Sequence, residues 1–354
     1  MRKIKTIIIG LLAMSLCACS ATNSNQAKNL SSGEYAAILP YDTSNTRVKH
    51  LGILSDVDLR VQVEKGLMEL SKSHFSVNAV AYKTHAFLDY DELDATDGSR
   101  GLLGTLRDDN PNGLNPGKNE DFDTGNGVVD GATILVDLYE LDWYNNDELK
   151  GISISLVVND SVGEDEVTIK DANMQQYLEV TSIKLVNYMR SRFNEVTDAV
   201  PIYVAAYALD SSSDDRLGGY IYSGFFQHAT QSFSEVSQEW YRIPSATIAQ
   251  QDAKISEEFT TFKDKVSTAI ADNTYVVGNA QYIDETLTRL DIEIQAHGKT
   301  AGELLAISQI AKEELSSFTS TGCQYTIRVK NNDTVYCMIQ RERNSKESTV
   351  ITAL

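Results

Sequence analysis

Nine residues between Ile134 and Ser155 recur unchanged 68 positions further on. Ile134, Val136, Tyr139, Leu141, Asp142, Asp147, Leu149, Gly151 and Ser155 meet Ile202, Val204, Tyr207, Leu209, Asp210, Asp215, Leu217, Gly219 and Ser223. Each copy reads as two strands rich in β-branched and aromatic residues around a polar loop: Thr133–Leu141 with Ile152–Val158, and Ile202–Leu209 with Tyr220–Phe226. A unit recurring at fixed spacing restricts the fold to architectures built from that unit. The alternative is convergence of two sheet hairpins. Two further pairs follow, Tyr275–Ile283 with Leu287–Gln295 and Tyr325–Val329 with Val335–Ile339, the last closed by a turn at Lys330–Asp333.

Helical spacing precedes each pair. Leu59, Val63, Leu67 and Leu70 mark one helix, with Asp58 placed to cap it. Met174, Leu178, Leu185 and Met189 mark a second, and Ile255, Phe259, Phe262, Val266 and Ile270 a third. Leu304, Ile307, Ala311, Leu315 and Phe318 mark a fourth, opened by the capping box Thr300-Ala301-Gly302-Glu303. The order predicts an α+β fold in which a helix is followed by two strands, four times over. It makes two related domains, residues 34–230 and 245–345, each a mainly antiparallel sheet with helices on one face. The break falls in the polar stretch His228–Gln238.

Ahead of these units lies a leader. Arg2, Lys3 and Lys5 precede an apolar run from Ile7 to Leu16, and small residues follow, the pattern of a secretory signal over residues 1–18. A spanning helix is the competing reading, but it needs roughly 20 apolar residues, about twice this run. Leu16-Cys17-Ala18-Cys19 resembles the bacterial lipobox: Leu three places before a cysteine and a small residue directly before it. On that reading a lipid transferase attaches diacylglycerol to the Cys19 thiol, signal peptidase cuts between Ala18 and Cys19, and palmitate-type chains hold the protein in the bilayer. Each buried CH₂ contributes about 0.8 kcal/mol, so two or three chains anchor stably. Cys17 is a poorer candidate, with bulky Leu16 before it. After Cys19, residues up to 33 are almost all Ser, Asn, Ala, Thr and Gln, with Lys28, Leu30 and Gly33 besides, so 19–33 reads as a flexible tether. The expected location is the outer face of the cytoplasmic membrane.

Removing the three leader bases from 31 leaves 28 against 50 acids, a formal charge of −22. Nucleic acid is excluded as a partner, because binding it requires clustered Lys and Arg. The same charge opposes broad contact with anionic headgroups. No zinc-protease helix, nucleophile elbow or phosphate loop is present, and the five histidines (His50, His74, His85, His228, His297) are never within helical reach of one another. No cofactor is implied, and the chain reads as non-enzymatic.

Three weaker features stay open. Asp108, Asn110 and Asn112 begin like a calcium loop with Gly113 sixth, but Asn119 stands where a bidentate Glu belongs, and a solvated acidic loop explains the segment equally. Cys323 and Cys337 can bridge outside the cell, yet a two-residue turn at Asn331-Asn332 sets residue 337 opposite 326 and points Cys323 to the other face. Seventeen tyrosines, with Trp143, Tyr144, Trp240 and Tyr241 near predicted loops, suit either strand packing or stacking on a cell-wall or extracellular ligand.

Several segments together carry a resemblance. They are Glu64-Lys65-Gly66-Leu67-Met68-Glu69-Leu70-Ser71 ending in Phe75, Asn110-Pro111-Asn112-Gly113-Leu114-Asn115-Pro116, Gly151-Ile152-Ser153-Ile154-Ser155-Leu156, Val200-Pro201-Ile202-Tyr203-Val204 and His297-Gly298-Lys299. In this order, from about Glu34 to Arg343, they resemble the CamS family of lipoproteins from low-GC Gram-positive bacteria, the sex-pheromone precursors. The resemblance implies two related α+β repeats. It also implies that a hydrophobic peptide from the end of the leader, here Leu12-Ala13-Met14-Ser15-Leu16-Cys17-Ala18, acts as a pheromone in plasmid conjugation. This chain departs from the pattern by placing the Cys17 thiol in that peptide. The resemblance assigns no activity to the mature body.

Overall fold

The computed structural model describes residues 33–352, apart from 55–56, 96–100, 107–109, 210–214 and 270–273, together with residues 27 and 29. The leader, the lipidation site Cys19 and Ala18, the peptide Leu12–Ala18 and Asp108 lie outside the described residues. The described chain begins with β1 (Ala36–Ala37), α1 (Asn45–Lys49), α2 (Val57–Ser71), β2 (Ala81–Thr84) and α3 (Tyr90–Asp94). A small hairpin, β3 (Asp121–Asp123) and β4 (Val128–Asp130), precedes the long hairpin β5 (Leu135–Asn145) and β6 (Glu148–Asn159). A second small hairpin, β7 (Ser161–Val162) and β8 (Val167–Thr168), leads to α4 (Asp171–Arg192), β9 (Ile202–Leu209), β10 (Arg216–Gln227) and β11 (Thr230–Ile243). The chain closes with α5 (Ala246–Gln251), α6 (Ala253–Ala269), β12 (Thr274–Ile283), β13 (Thr286–Ala296), α7 (Ala301–Glu314), β14 (Gln324–Asn331), β15 (Thr334–Arg341) and β16 (Thr349–Thr352).

The four helices and four strand pairs expected from the spacing are present. Moreover β10 occupies the bounds of β6 shifted by 68, matching the offset of the identical residues. Apart from the two small hairpins, all strands lie in one sheet of twelve whose order follows the chain. Most neighbours are antiparallel. Between long strands the parallel joins fall where a helix crosses over, β6 to β9 through α4 and β13 to β14 through α7, because a parallel neighbour needs a crossover rather than a tight turn.

One sheet therefore runs through both halves, and the stretch His228–Gln238 is not a linker. Most of it is the first part of β11, which extends the β10 hairpin, while pairing with β12 starts only at Gln238↔Ile283. Residues 230–237 are mostly exposed there, which explains polar composition in an ordered strand. The halves nevertheless have separate cores. Tyr241, Ile243 and the apolar faces of α6 and α7 fill the second, with Ile292, Ile294, Ile327 and Ile339.

The first half corrects the expectation of helices on one face. Even-numbered residues of β6 and β9, such as Ile154, Leu156, Ile202 and Val204, pack with Leu178, Leu185 and Met189 of α4. Their odd-numbered neighbours Val157, Tyr203, Ala205 and Tyr207 pack instead with Val63 and Leu67 of α2. Side chains alternate across a strand, so α2 and α4 lie on opposite faces. In the second half, among the described residues, α5, α6 and α7 pack into one core on a single face of the sheet.

The seat of α2 is tight. A Cβ on Gly66 would lie 2.6 Å from the Tyr220 ring, and one on Gly151 would lie 2.1 Å from the Phe75 ring. Tyr220 Oη donates to Val63 O (2.6 Å), and Ser71 Oγ lies 2.8 Å from Ser153 Oγ, which also accepts from Trp143 Nε1. Full burial of Val63 and Leu67 adds about 1.5–3 kcal/mol each. The range of α2 begins at Val57, one residue before the expected cap Asp58. At the start of α7, Thr300 and Glu303 form the expected capping box.

Candidate functional site

The face on which α2 sits continues, bare of helices, over β12 to β15, and the step between them is a cleft of about 1560 Å³. Gln62, Lys65 and Glu69 of α2 form one wall, with Gly33–Tyr35 beside them; Trp240 and Arg242 of β11 lie between the halves. The floor follows from strand alternation. Leu290, Ile292 and Ile294 of β13 point into the core, so Arg289, Asp291 and Glu293 point to the cleft. Register sets these beside Gln281, Asn279 and Val277 of β12, and beside Gln324, Thr326 and Arg328 of β14.

Polar contacts organise this surface. Arg289 Nε donates to Asp291 Oδ1 (2.9 Å) and Oδ2 (2.8 Å), while Lys330 Nζ meets Glu293 Oε2 at 2.6 Å. Gln324 and Gln340 donate to Glu342 at 3.1 and 2.7 Å. Lys72 bridges Glu69 (2.7 Å) and Glu34 (3.5 Å) on the opposing wall. Enclosure by the cleft, and then the nearby Arg289 charge, lower the pKa of Lys65 despite Asp291, Glu34 and Glu69. The arrangement offers carboxamides, guanidinium forks and carboxylates, a surface suited to hydrogen-bonded recognition.

Two titratable clusters lie elsewhere, in the first half. Arg47 Nη1 and Nη2 donate to Asp137 (2.7 and 2.8 Å), and His50 is held between Asp137 (2.9 Å) and Asp94 (2.6 Å). Burial alone would lower the His50 pKa; the two carboxylates overcome it and raise the value to about 9. Glu140 accepts from the backbone of Phe87 and Leu88, and Asp142 from Ala86. Burial raises both carboxyl pKa values, and their proximity raises Asp142 further. Burial drives His85 down to about 3, so it is neutral, with Nδ1 donating to Leu88 O. Both clusters fasten residues 45–94 to β5, and both ring nitrogens of His50 are occupied.

The remaining candidates from the sequence resolve into structure. Asn110 is buried, and its amide donates to Gly101 O (3.0 Å) and Thr105 O (3.4 Å). Asn115 donates to Leu103 O and Leu135 O and accepts from Ile134 N and Leu135 N, so the Asn-Pro-Asn-Gly segment plugs a loop onto β5. Among the described residues no group of three or more His, Cys, Asp or Glu is placed to hold a metal ion; Asn112 has a partner of its own. Cys323 and Cys337 are free, buried thiols. The hairpin turns at Asn332-Asp333 rather than Asn331-Asn332, with a bulge at Val329/Lys330, so Cys337 faces Val329 and both cysteines enter the same core. Trp143, Trp240 and Tyr241 lie in strands and are 0%, 5% and 5% exposed, so they are not loop platforms. The cleft residues were missed as a group. Their signal was present in β13, where Thr-Leu-Thr-Arg-Leu-Asp-Ile-Glu-Ile places a polar residue at nearly every second position.

Comparison with known proteins places this architecture. The fold is similar to a crystal structure of a sex pheromone precursor from Lactobacillus salivarius subsp. salivarius, with 21% identity and a TM-score of 0.79 over 93% of this chain and 98% of that one. It is also similar to the C-terminal domain of the sex pheromone staph-cAM373 precursor from Staphylococcus aureus, with 19% identity and a TM-score of 0.67 over 83% of this chain and 96% of that one. No curated protein matches the chain. A family model described as CamS sex pheromone cAM373 precursor matches residues 41–347. Spanning most of the described fold, that match establishes that the chain belongs to the CamS sex pheromone precursor family.

Proposed function

We propose that this chain is a non-enzymatic extracellular lipoprotein, tied to the outer face of the cytoplasmic membrane through Cys19, whose leader releases Leu12–Ala18 as a peptide pheromone in plasmid conjugation. The lipobox Leu16-Cys17-Ala18-Cys19 carries the reading. Lipid transferase and signal peptidase are its partners in maturation. No helix among the described residues is long and apolar enough to cross a membrane. The test is Cys19→Ser with fractionation and palmitate labelling. Release into the medium and loss of label are expected; a variant still membrane-bound refutes the anchor. Synthetic Leu12–Ala18 that induces no responsive donor removes the pheromone role and leaves the anchor standing.

A second reading concerns the mature body: it binds an extracellular ligand. The cleft supports this in place of the tyrosine-rich loops, since Trp143, Trp240 and Tyr241 are buried in strands and Tyr144 is half-buried in β5. Separate cores support reading the halves as two related domains that meet along β11 and β12. A binding screen with and without Asn279→Trp, which fills the floor, tests it. No probe whose retention the variant lowers would refute it.

A further inference from the structure

The cleft stands out electrostatically. The whole chain has 50 acids and 31 bases, yet six basic and six acidic side chains line the cleft. The acids are engaged. Asp291 is held by Arg289, Glu293 by Lys330, Glu34 and Glu69 by Lys72, and Glu342 by two glutamines. Asp215 accepts from Thr247 Oγ1 at 3.3 Å. Four of the bases, Lys65, Arg242, Arg328 and Arg343, line the same space with no acid within salt-bridge distance among the described residues. Salt bridges thus occupy four of the six acids, while Lys65, Arg242, Arg328 and Arg343 make none among the described residues, so the cleft is richer in free cations than the acidic chain as a whole.

We propose that the cleft binds an extended peptide bearing carboxylates, its acidic side chains or terminus taken by Lys65 and Arg328 and its backbone amides by the carboxamides of the floor. This rests on the cleft-binding reading above. Three observations favour a peptide over other anions. The cleft exceeds the roughly 300–1,000 Å³ of small-molecule sites, so it suits a chain segment. Asn279, Gln281, Gln324 and Gln340 each carry a donor and an acceptor, the pair a peptide bond presents. Of the three aromatics that line the cleft, Tyr35 and Trp240 are only 8% and 5% exposed and Tyr82 is half-buried, fewer open ring faces than the four carboxamides of the floor. Guanidinium forks match carboxylates in two parallel bonds, which selects Arg328 as the specific contact and Lys65 as a point charge.

The experiment uses the full chain purified in detergent and a fluorescent peptide (Ser-Glu)₄, read by anisotropy. Its counterpart (Ser-Gln)₄ and a poly(glycerol phosphate) chain serve as competing probes. Expected are binding of (Ser-Glu)₄ that weakens as salt rises, and at least about ten-fold weaker binding of (Ser-Gln)₄. Arg328→Gln and Lys65→Gln are each expected to weaken (Ser-Glu)₄ by about ten-fold, the loss of one charge-assisted contact. Lys312→Gln, on exposed α7 across the sheet, is expected to change nothing, and unchanged melting temperatures show that all variants fold. Equal affinity for both peptides, or no effect of Arg328→Gln, overturns the proposal. Tighter binding of poly(glycerol phosphate), abolished by Asn279→Trp, overturns the peptide while the cleft reading survives. If Asn279→Trp alters the binding of no probe, both fail.

Discussion

The halves of this protein are built from the same helix and strand-pair units and differ in how many faces of the sheet they cover. In β6 every residue from Gly151 to Val158 is buried, because α4 lies on one side and α2 on the other. In β13 burial alternates, because the described helices of this half, α5 to α7, pack on one face of the sheet. The lesson is that covering one extra face changes what a strand is for. Doubly covered strands become core, and singly covered ones have a side available to water or a ligand. The cleft lies where one regime gives way to the other.

The largest effect expected from that difference is a charge placed in each half. Val157→Lys puts an ammonium between β6 and α2, where Val157 is fully buried, and should destabilise by more than about 4 kcal/mol or prevent folding. Val277→Lys, at a residue 51% exposed on the bare face, should stay within about 0.5 kcal/mol. Urea melts of the two compare the halves directly; similar losses would mean that the face over β12 is not open.

Next in size is His50. Its folded pKa of about 9 lies above the unfolded 6.5, so the ion pairs with Asp137 and Asp94 stabilise fully below pH 6.5 and fade as pH rises through 9. The contribution is about 3 kcal/mol at most. Melting temperature followed from pH 6 to 10 should fall in this window and flatten in His50→Gln. A slope that survives the substitution would move the pH sensitivity elsewhere.

Two glycines sharpen the contrast. Gly66→Ala drives a methyl into the Tyr220 ring and should cost about 1–3 kcal/mol. Gly302→Ala in α7 meets nothing within 4 Å and should gain about 0.5–1 kcal/mol from helix propensity. Opposite shifts in the denaturation midpoint are expected; a harmless Gly66→Ala would show that α2 has room to move.

Smallest is Asp142→Asn. Because the folded pKa of Asp142 is raised, ionising it costs stability progressively as pH climbs above the unfolded 3.8. The amide keeps a donor toward Glu140 and an acceptor for Ala86 N, and should raise stability near neutral pH by about 1 kcal/mol. A loss at pH 7 would assign the pair a charged, ion-pairing role instead.

The elements were legible in the sequence, whereas the difference in covered faces was not. The apolar spacing from Ile255 to Val266 locates α6, and Ile202–Leu209 locates β9 because an eight-residue apolar run has few other uses. What spacing cannot supply is the side on which a helix lands: α2 and α4 carry similar stripes, and only long-range partners such as Tyr220 distinguish them. Residues 230–237 escaped because an overhanging hairpin buries little and leaves no apolar imprint. The Cys337 register escaped because one inserted residue near Val329 reverses the expected pairing. The cleft escaped because its parts are scattered from Gly33 to Arg343, and their common surface exists only after the sheet has formed.

Strand order that copies chain order has a kinetic consequence. Most pairings join neighbours a few residues to one crossover apart, so the loops closed during assembly stay short and the sheet can grow strand by strand. Such growth always leaves one sticky border for the next strand. Among the described residues the border strands are only two residues long at Ala36–Ala37 and four at Thr349–Thr352, which limits how firmly a stray chain can zip on.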